Sequence, residues 1–344
     1  MLLIENLDTD WLFRRDEEGR FREGVSLPHS PFVSDLDGNE HWFGTCEYIR
    51  SMKVDSQFLG MQIVLRLGGA MQRTTVYLDG EWVGEHKGGF LPFEIDLSRY
   101  TIIGETHELR VEISNRWDPD IPPGKRFEEL DFCWYGGLYR DAALVAYPES
   151  RIESNLRGGE CEQGGVLVQT LALEASKALL KVTVLAKLKI GEKSSDLGLR
   201  VSVGRSGRES PQFEGFYPRS DWREGPGGGF EFEFEIENPR LWSVSRPHLY
   251  DCRVDLVRVG NSQVDSVRTR FGIRRIGFSR SEGFTLNGER LQLRGVNRHQ
   301  EYPYVGYAVP PAAQYRDAVR IKEAGFDYVR LSHYPQCSSF LDAC

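Results

Sequence analysis

The stretch from Leu291 to Pro335 constrains the fold of this chain more than any other. Leu291, Leu293 and Val296 form a short apolar run that turns polar at Asn297, Arg298 and His299. Ala312 to Ala324 follows with good helix formers, and Tyr315, Ala318, Val319 and Ile321 spread over one broad face. Gly325 stands where a helix C-terminus is expected. Tyr328, Val329 and Leu331 then give a second buried-type strand, which breaks into Ser332-His333-Tyr334-Pro335. A strand opening at Leu291, a helix and a second strand in this order predict a βαβ unit, hence a parallel pair. In a (β/α)8 barrel the polar ends of such strands are where an active site is built.

The chain before this unit reads as β throughout. Glu47–Arg50, Met61–Leu67, Thr75–Leu78 and Leu109–Ile113 are strand-like runs rich in β-branched and aromatic residues. Asp79-Gly80 lies between Val76-Tyr77-Leu78 and Trp82-Val83, a hairpin signal, because this pair supplies the positive φ angles of a tight turn. Short strands with regular turn punctuation predict a sandwich of jelly-roll type over residues 1–150. Residues 151–280 predict a second sandwich. In it Glu231–Glu237 alternates strictly, with Phe232, Phe234 and Ile236 on one face and glutamates on the other, the pattern of an antiparallel sheet with one wet face. The Gly225–Gly229 run reads as a loop. It lacks the Lys-Ser/Thr of a phosphate-cradling loop, so nucleotide binding is rejected. Asn287-Gly288 predicts a tight turn just before Leu291.

Composition excludes several classes. The 344 residues should hold two or three domains. A net charge of -8 argues against a nucleic-acid partner. No apolar run of about 18 residues occurs, so no membrane partner is expected. The N-terminal MLLIENLDTDWLF carries acids where a signal peptide needs a basic start, so a cytoplasmic location is expected. Cys46, Cys133, Cys161, Cys252, Cys337 and Cys344 form no CxxC pair and read as reduced thiols.

RGVNRH followed by VRLSHYP resembles the start of the catalytic barrel of glycoside hydrolase family 2, the β-galactosidases, β-glucuronidases and β-mannosidases. Asp327 stands where the family signature has Asn, and Leu331 where it has a small residue. LPH at Leu27–His29, YLDGEWVGEHKGGFLPF and the DFCWYGGLYRD run from Asp131 resemble the sugar-binding N-terminal domain. PRLW, PHLY and RFGIR resemble the closing strands of its immunoglobulin-like domain. The resemblance implies a mainly β, multidomain chain: a jelly-roll β-sandwich at 1–150, an immunoglobulin-like β-sandwich at 151–280, and at 281–344 the first βαβ unit of a truncated (β/α)8 TIM barrel. It also implies a retaining glycosidase hydrolysing terminal β-galactosides. A β-glucuronidase-like member, a non-catalytic carbohydrate-binding fragment and an inactive product of a broken gene remain the alternatives.

On the same resemblance, Asp131, His299 and His333 fall on positions that bind sugar hydroxyls. Arg330 falls on the Arg that orders the catalytic carboxylate, and Asn297 and Arg298 flank the pocket. A neutral imidazole offers one donor and one acceptor, which suits a hydroxyl. An Arg beside a carboxylate makes a charge-assisted fork that keeps it ionised. The plainer readings are a surface ion pair between Arg140 and Asp141, a turn cap for Asp131 and structural hydrogen bonds for the histidines. Two histidines at successive strand ends weigh against the last, so Asp131, His299 and His333 are expected to converge. The family's two catalytic glutamates come from later barrel strands, beyond residue 344, so the chain as given is expected to be inactive. No cofactor is expected for it and no metal site within it, while a structural Na, Mg or Ca ion is admitted in the full-length enzyme. The expected partner is a β-linked sugar, and a homo-oligomer is admitted.

Overall fold

The computed structural model describes residues 2–31, 41–153, 165–189, 191, 196–208, 210–223, 225, 229–258, 260 and 262–344. Of the glycine-rich run only Gly225 and Gly229 are among them, and Cys161 lies outside the described residues. The chain divides into two compact units. One holds Leu3–Ala146 together with Gly295–Cys344, and the other holds most of the segment between, through Arg294.

In the first unit, the strands Arg22–Val25, Trp11–Arg15, Thr45–Lys53, Thr106–Ser114, Arg73–Leu78 and Glu81–Lys87 lie side by side in that order. A second sheet orders Leu3–Asn6, Ala142–Tyr147, Gln62–Leu67 and Phe93–Asp96. This is the jelly roll. Alternate residues of both sheets (Trp11, Phe13, Tyr48, Val76, Leu65, Leu109, Val111 and Leu144 among them) are wholly buried in one core. Leu78 faces Glu81 across the predicted turn, with Asp79 at φ 50° and Gly80 at φ 82°, both positive as a two-residue type I′ hairpin requires.

The other unit is an immunoglobulin-like sandwich. Its sheets run Val166–Leu173, Lys177–Val184, Phe230–Glu237 and Phe213–Pro218, Leu197–Arg205, Tyr250–Arg258, Gln263–Phe271. Phe232, Phe234 and Ile236 point into the core while the intervening glutamates face water. Lysines of the neighbouring strand balance that acidic face, Lys177 with Glu235 at 2.7 Å and Lys181 with Glu231 at 2.9 Å. Leu286 faces Glu289 across Asn287-Gly288, a second tight turn read correctly.

The barrel segment is strand Gly295–Arg298, helix Pro311–Glu323 and strand Tyr328–Leu331, with a further short helix at Ser338–Ala343. The two strands are parallel, with Gly295 opposite Tyr328 and Arg298 opposite Leu331. The first strand starts at Gly295 rather than at Leu291. The physical reason is that Leu291 N–H donates to Phe284 O at 3.0 Å, which binds it to the preceding hairpin. Alternation along this strand separates Asn297 from Arg298. Asn297 is exposed, whereas Arg298 is 6% exposed and turned toward the helices. Its guanidinium donates to Asp317 Oδ2 at 2.7 Å, to Gln314 Oε1 at 2.5 Å and to Gln336 Oε1, and lies 4.1 Å from the Phe340 ring centroid. Arg298 therefore does not flank the pocket; it ties the strand to both helices.

Candidate active site

The site starts from the DFCWYGGLYRD run. Phe132 and the residues from Trp134 to Tyr139 are buried, while the Asp131 side chain at the start of the run stays 81% exposed. Trp134 Nε1 donates to Asn115 O at 2.7 Å and Tyr139 OH to Gly89 O at 2.5 Å, which pins the loop to the jelly roll. Gly137 has φ 81°, and a Cβ there would meet Tyr48 OH at 2.7 Å and His29 O at 2.8 Å, so both backbone and space demand glycine.

The two barrel strands end against this loop. His333 Nε2 lies 3.9 Å from Asp131 Oδ1, and the His299 and His333 ring centroids are 5.5 Å apart, nearly perpendicular. Phe132 packs against both, 5.8 Å from the His299 ring and 5.9 Å from that of His333, so the three rings form a triangle. Asp131, His299 and His333 thus come together as expected. The His333 side chain is 34% exposed and that of Asp131 81%, so imidazole and carboxylate present donors and acceptors to solvent. Tyr334 OH sits 3.3 Å from His299 Nδ1 and accepts from the Gln300 N–H at 3.3 Å.

Asn297 and Arg330 are register partners on the exposed face of the parallel pair. Arg330 Nη1 donates to Ser332 Oγ at 3.3 Å. Asp327 pairs with Lys322 at 3.7 Å, at the opposite end of the second strand from His333. Arg140 forms no simple pair with its neighbour Asp141; its guanidinium donates to Gly68 O, Phe90 O, Gln300 Oε1 and Pro335 O.

Sequence reasoning did not assemble the aromatic wall behind these residues. Met71, Phe132, Trp134, Tyr135, Tyr139, Tyr307 and Tyr334 form one buried cluster, with Phe90 stacked on Tyr334 at 4.4 Å. Tyr307 OH donates to Cys133 O. Burial pushes the Tyr334 phenol up to about 12. It raises Tyr135 and Tyr307 further, with Glu301 a lesser cause for both. These hydroxyls therefore stay protonated at neutral pH. Phe90 lies in the GGFLPF run and Tyr307 in a loop without periodicity, and no local pattern joined them to the rest.

Three models of one family cover the chain in succession. The "sugar binding domain" of glycosyl hydrolases family 2 matches residues 30–148, a second family 2 model matches 166–274, and the "TIM barrel domain" matches 279–344. The chain belongs to glycosyl hydrolase family 2. Its resemblance to this family at the sequence level is thereby borne out, as is the mainly β fold with a partial barrel. A β-galactosidase of Thermoanaerobacter pseudethanolicus is 33% identical over 99% of this chain, which spans 45% of that relative. A β-glucuronidase of Bacteroides fragilis is 29% identical over 98% of the chain and 47% of its own length. The crystal structure of a Bacteroides uniformis β-glucuronidase superposes with a TM-score of 0.85 at 25% identity, covering 100% of this chain and 41% of that one. The family 2 chain described here thus spans about half the length of the curated relatives it matches. Among its described residues no group of three His, Cys, Asp or Glu side chains is arranged to hold a metal ion. No described helix is long and apolar enough to cross a membrane.

Proposed function

We propose that this chain carries the sugar-gripping half of a retaining β-glycosidase whose substrates are terminal β-galactosides. The observation that carries the reading is the 3.9 Å approach of His333, from the second barrel strand, to Asp131, from the jelly roll. Asp131 and the two imidazoles supply an acceptor-rich cluster against the aromatic wall, suited to a polyhydroxylated ring with one apolar face. On this reading Asp131, His299 and His333 bind hydroxyls of the non-reducing sugar. Arg330 and Asn297 face the reacting centre from the strand side, and Arg330 forks onto the attacking carboxylate. The proton donor and nucleophile are two glutamates of later barrel strands, held about 5 to 5.5 Å apart across the glycosidic bond. A β-linked sugar is the partner, and self-association into a homo-oligomer accompanies the complete protein.

A β-glucuronidase reading stands second, because relatives of that name match nearly the whole chain. The deciding experiment takes the protein continued through a complete barrel and assays chromogenic β-galactoside and β-glucuronide side by side. Higher kcat/KM on the galactoside is expected. The reverse preference selects the second reading, and turnover of neither sinks the glycosidase reading.

A further inference from the structure

Arg140 has a set of partners that no surface arginine would collect. Nη1 donates to Gly68 O at 3.2 Å and to Phe90 O at 3.1 Å, two carbonyls of jelly-roll loops. Nη2 donates to Gln300 Oε1 at 3.3 Å and to Pro335 O at 3.0 Å, one from the segment after each barrel strand. Gln300 follows His299 directly and is 1% exposed. Pro335 lies two residues after His333. The guanidinium thus spans from a closed sandwich to both segments that carry the histidines. A planar fork can serve four acceptors in this way, whereas an ammonium on a flexible stem acts as a point charge. The backbone amides of the two strands stop helping at this place. The parallel ladder ends at Arg298 and Leu331, and one further bond, Ser332 N–H to Arg298 O at 3.1 Å, continues it.

We propose that Arg140 is a positioning residue that sets the spacing and orientation of the His299 and His333 rings toward Asp131. This rests on the reading of that cluster as a sugar subsite. Arg140 touches no sugar itself. It acts through Gln300 and Pro335, and the 5.5 Å ring separation is the quantity it controls.

The test uses the whole 344-residue chain with isotopically labelled histidine, as wild type, Arg140→Lys, Arg140→Ala and Gln300→Leu. The ring signals of His299 and His333 are followed against those of His107, hydrogen-bonded to Asp79 in the jelly roll, and of His248 in the immunoglobulin-like sandwich. Isopropyl β-D-thiogalactoside is then titrated in. The expected result is that Arg140→Lys shifts both site rings, leaves both reference rings unchanged, lowers the melting temperature without unfolding the chain, and weakens sugar binding about tenfold, the loss of roughly one hydrogen bond to a charged group. Gln300→Leu shifts the His299 ring more than the His333 ring. Where Arg140→Ala does not fold, the Lys and Leu variants carry the decision. Site rings unmoved in folded variants overturn the clamp. Site rings that move while wild type binds no sugar leave the clamp standing and sink the sugar-subsite reading instead.

Discussion

Asp131 Oδ1 and His333 Nε2 stand 3.9 Å apart, the acid exposed at the mouth of its loop and the imidazole half-covered behind it. An exposed carboxylate costs little to remove from the fold, but on the proposed reading it accepts from sugar hydroxyls that no neighbour would serve in its place. In the protein continued through its barrel, Asp131→Ala should lower kcat/KM about 10- to 150-fold, corresponding to about 1.5 to 3 kcal/mol. Its melting temperature should stay near that of the wild type. Unchanged kinetics would make Asp131 a turn residue only.

Arg298 behaves in the opposite way. It and Asp317 are 6% and 18% exposed, and Gln314 and Gln336 also depend on its guanidinium. Arg298→Ala leaves the partly buried Asp317 carboxylate with the Tyr302 hydroxyl but no guanidinium and takes the donor from two amide oxygens, and breaking such a buried pair typically costs about 3 to 5 kcal/mol. Hydrogen exchange should accelerate across Pro311–Glu323 and Ser338–Ala343 while the immunoglobulin-like sandwich keeps its protection. Protection of the two helices equal to wild type would contradict the tie.

Acid should weaken the jelly roll through His29. Its Nδ1 lies 2.7 Å from Tyr48 OH, and burial, aided by Arg22, lowers its pKa to about 4. A folded pKa below the unfolded value of about 6.5 means that the unfolded chain takes up the proton first as pH falls. The stabilisation is therefore complete above about pH 6.5, is lost progressively toward about 4 and changes no further below that, up to about 3 kcal/mol in all. His86, also lowered by burial, adds in the same direction. Urea unfolding at pH 7 and pH 4.5 should show the loss, and His29→Gln should reduce the difference between the two. An equal difference in that variant would place the acid sensitivity elsewhere.

The 344 residues alone should give no enzymatic turnover of a chromogenic β-galactoside. Retaining hydrolysis needs two facing carboxyl groups. Of the acids near the site, Asp327 is held by Lys322 at the far end of its strand, and Glu301 packs among buried phenols. A rate above about 1 per second, within the ordinary enzyme range, would require a catalytic pair among residues assigned other roles here.

Features fixed by local chemistry were legible in the sequence. Asp79-Gly80 and Asn287-Gly288 turn as two-residue pairs must, and the strict glutamate alternation has one inward face. The βαβ order also holds. What was not legible depends on register or on backbone partners. Leu291 and Leu293 look like the start of a barrel strand, but the hydrogen bond of Leu291 to Phe284 assigns it to the hairpin before. That shift left the side of Arg298 undecided. Arg140 looked like half of an ion pair, because carbonyl acceptors such as Gly68 O and Pro335 O leave no trace in side-chain identity. The aromatic wall joins Phe90, Tyr135 and Tyr307 from separate loops, and only the folded chain brings them together.

The strand Phe230–Glu237 closes one side of its three-stranded sheet, paired with Lys177–Val184 and, among the described residues, with no strand beyond it. Unpaired backbone groups on such a margin invite a second chain to add itself. Here a second molecule docking the same margin would bring Glu231, Glu233, Glu235 and Glu237 against their own copies, and like charges directly opposite are destabilising. The row that reads as a plain wet face is thereby a guard against aggregation. It depends on ionisation, so colloidal stability should fall in acid, where the carboxylates are protonated, and in concentrated salt, where their repulsion is screened.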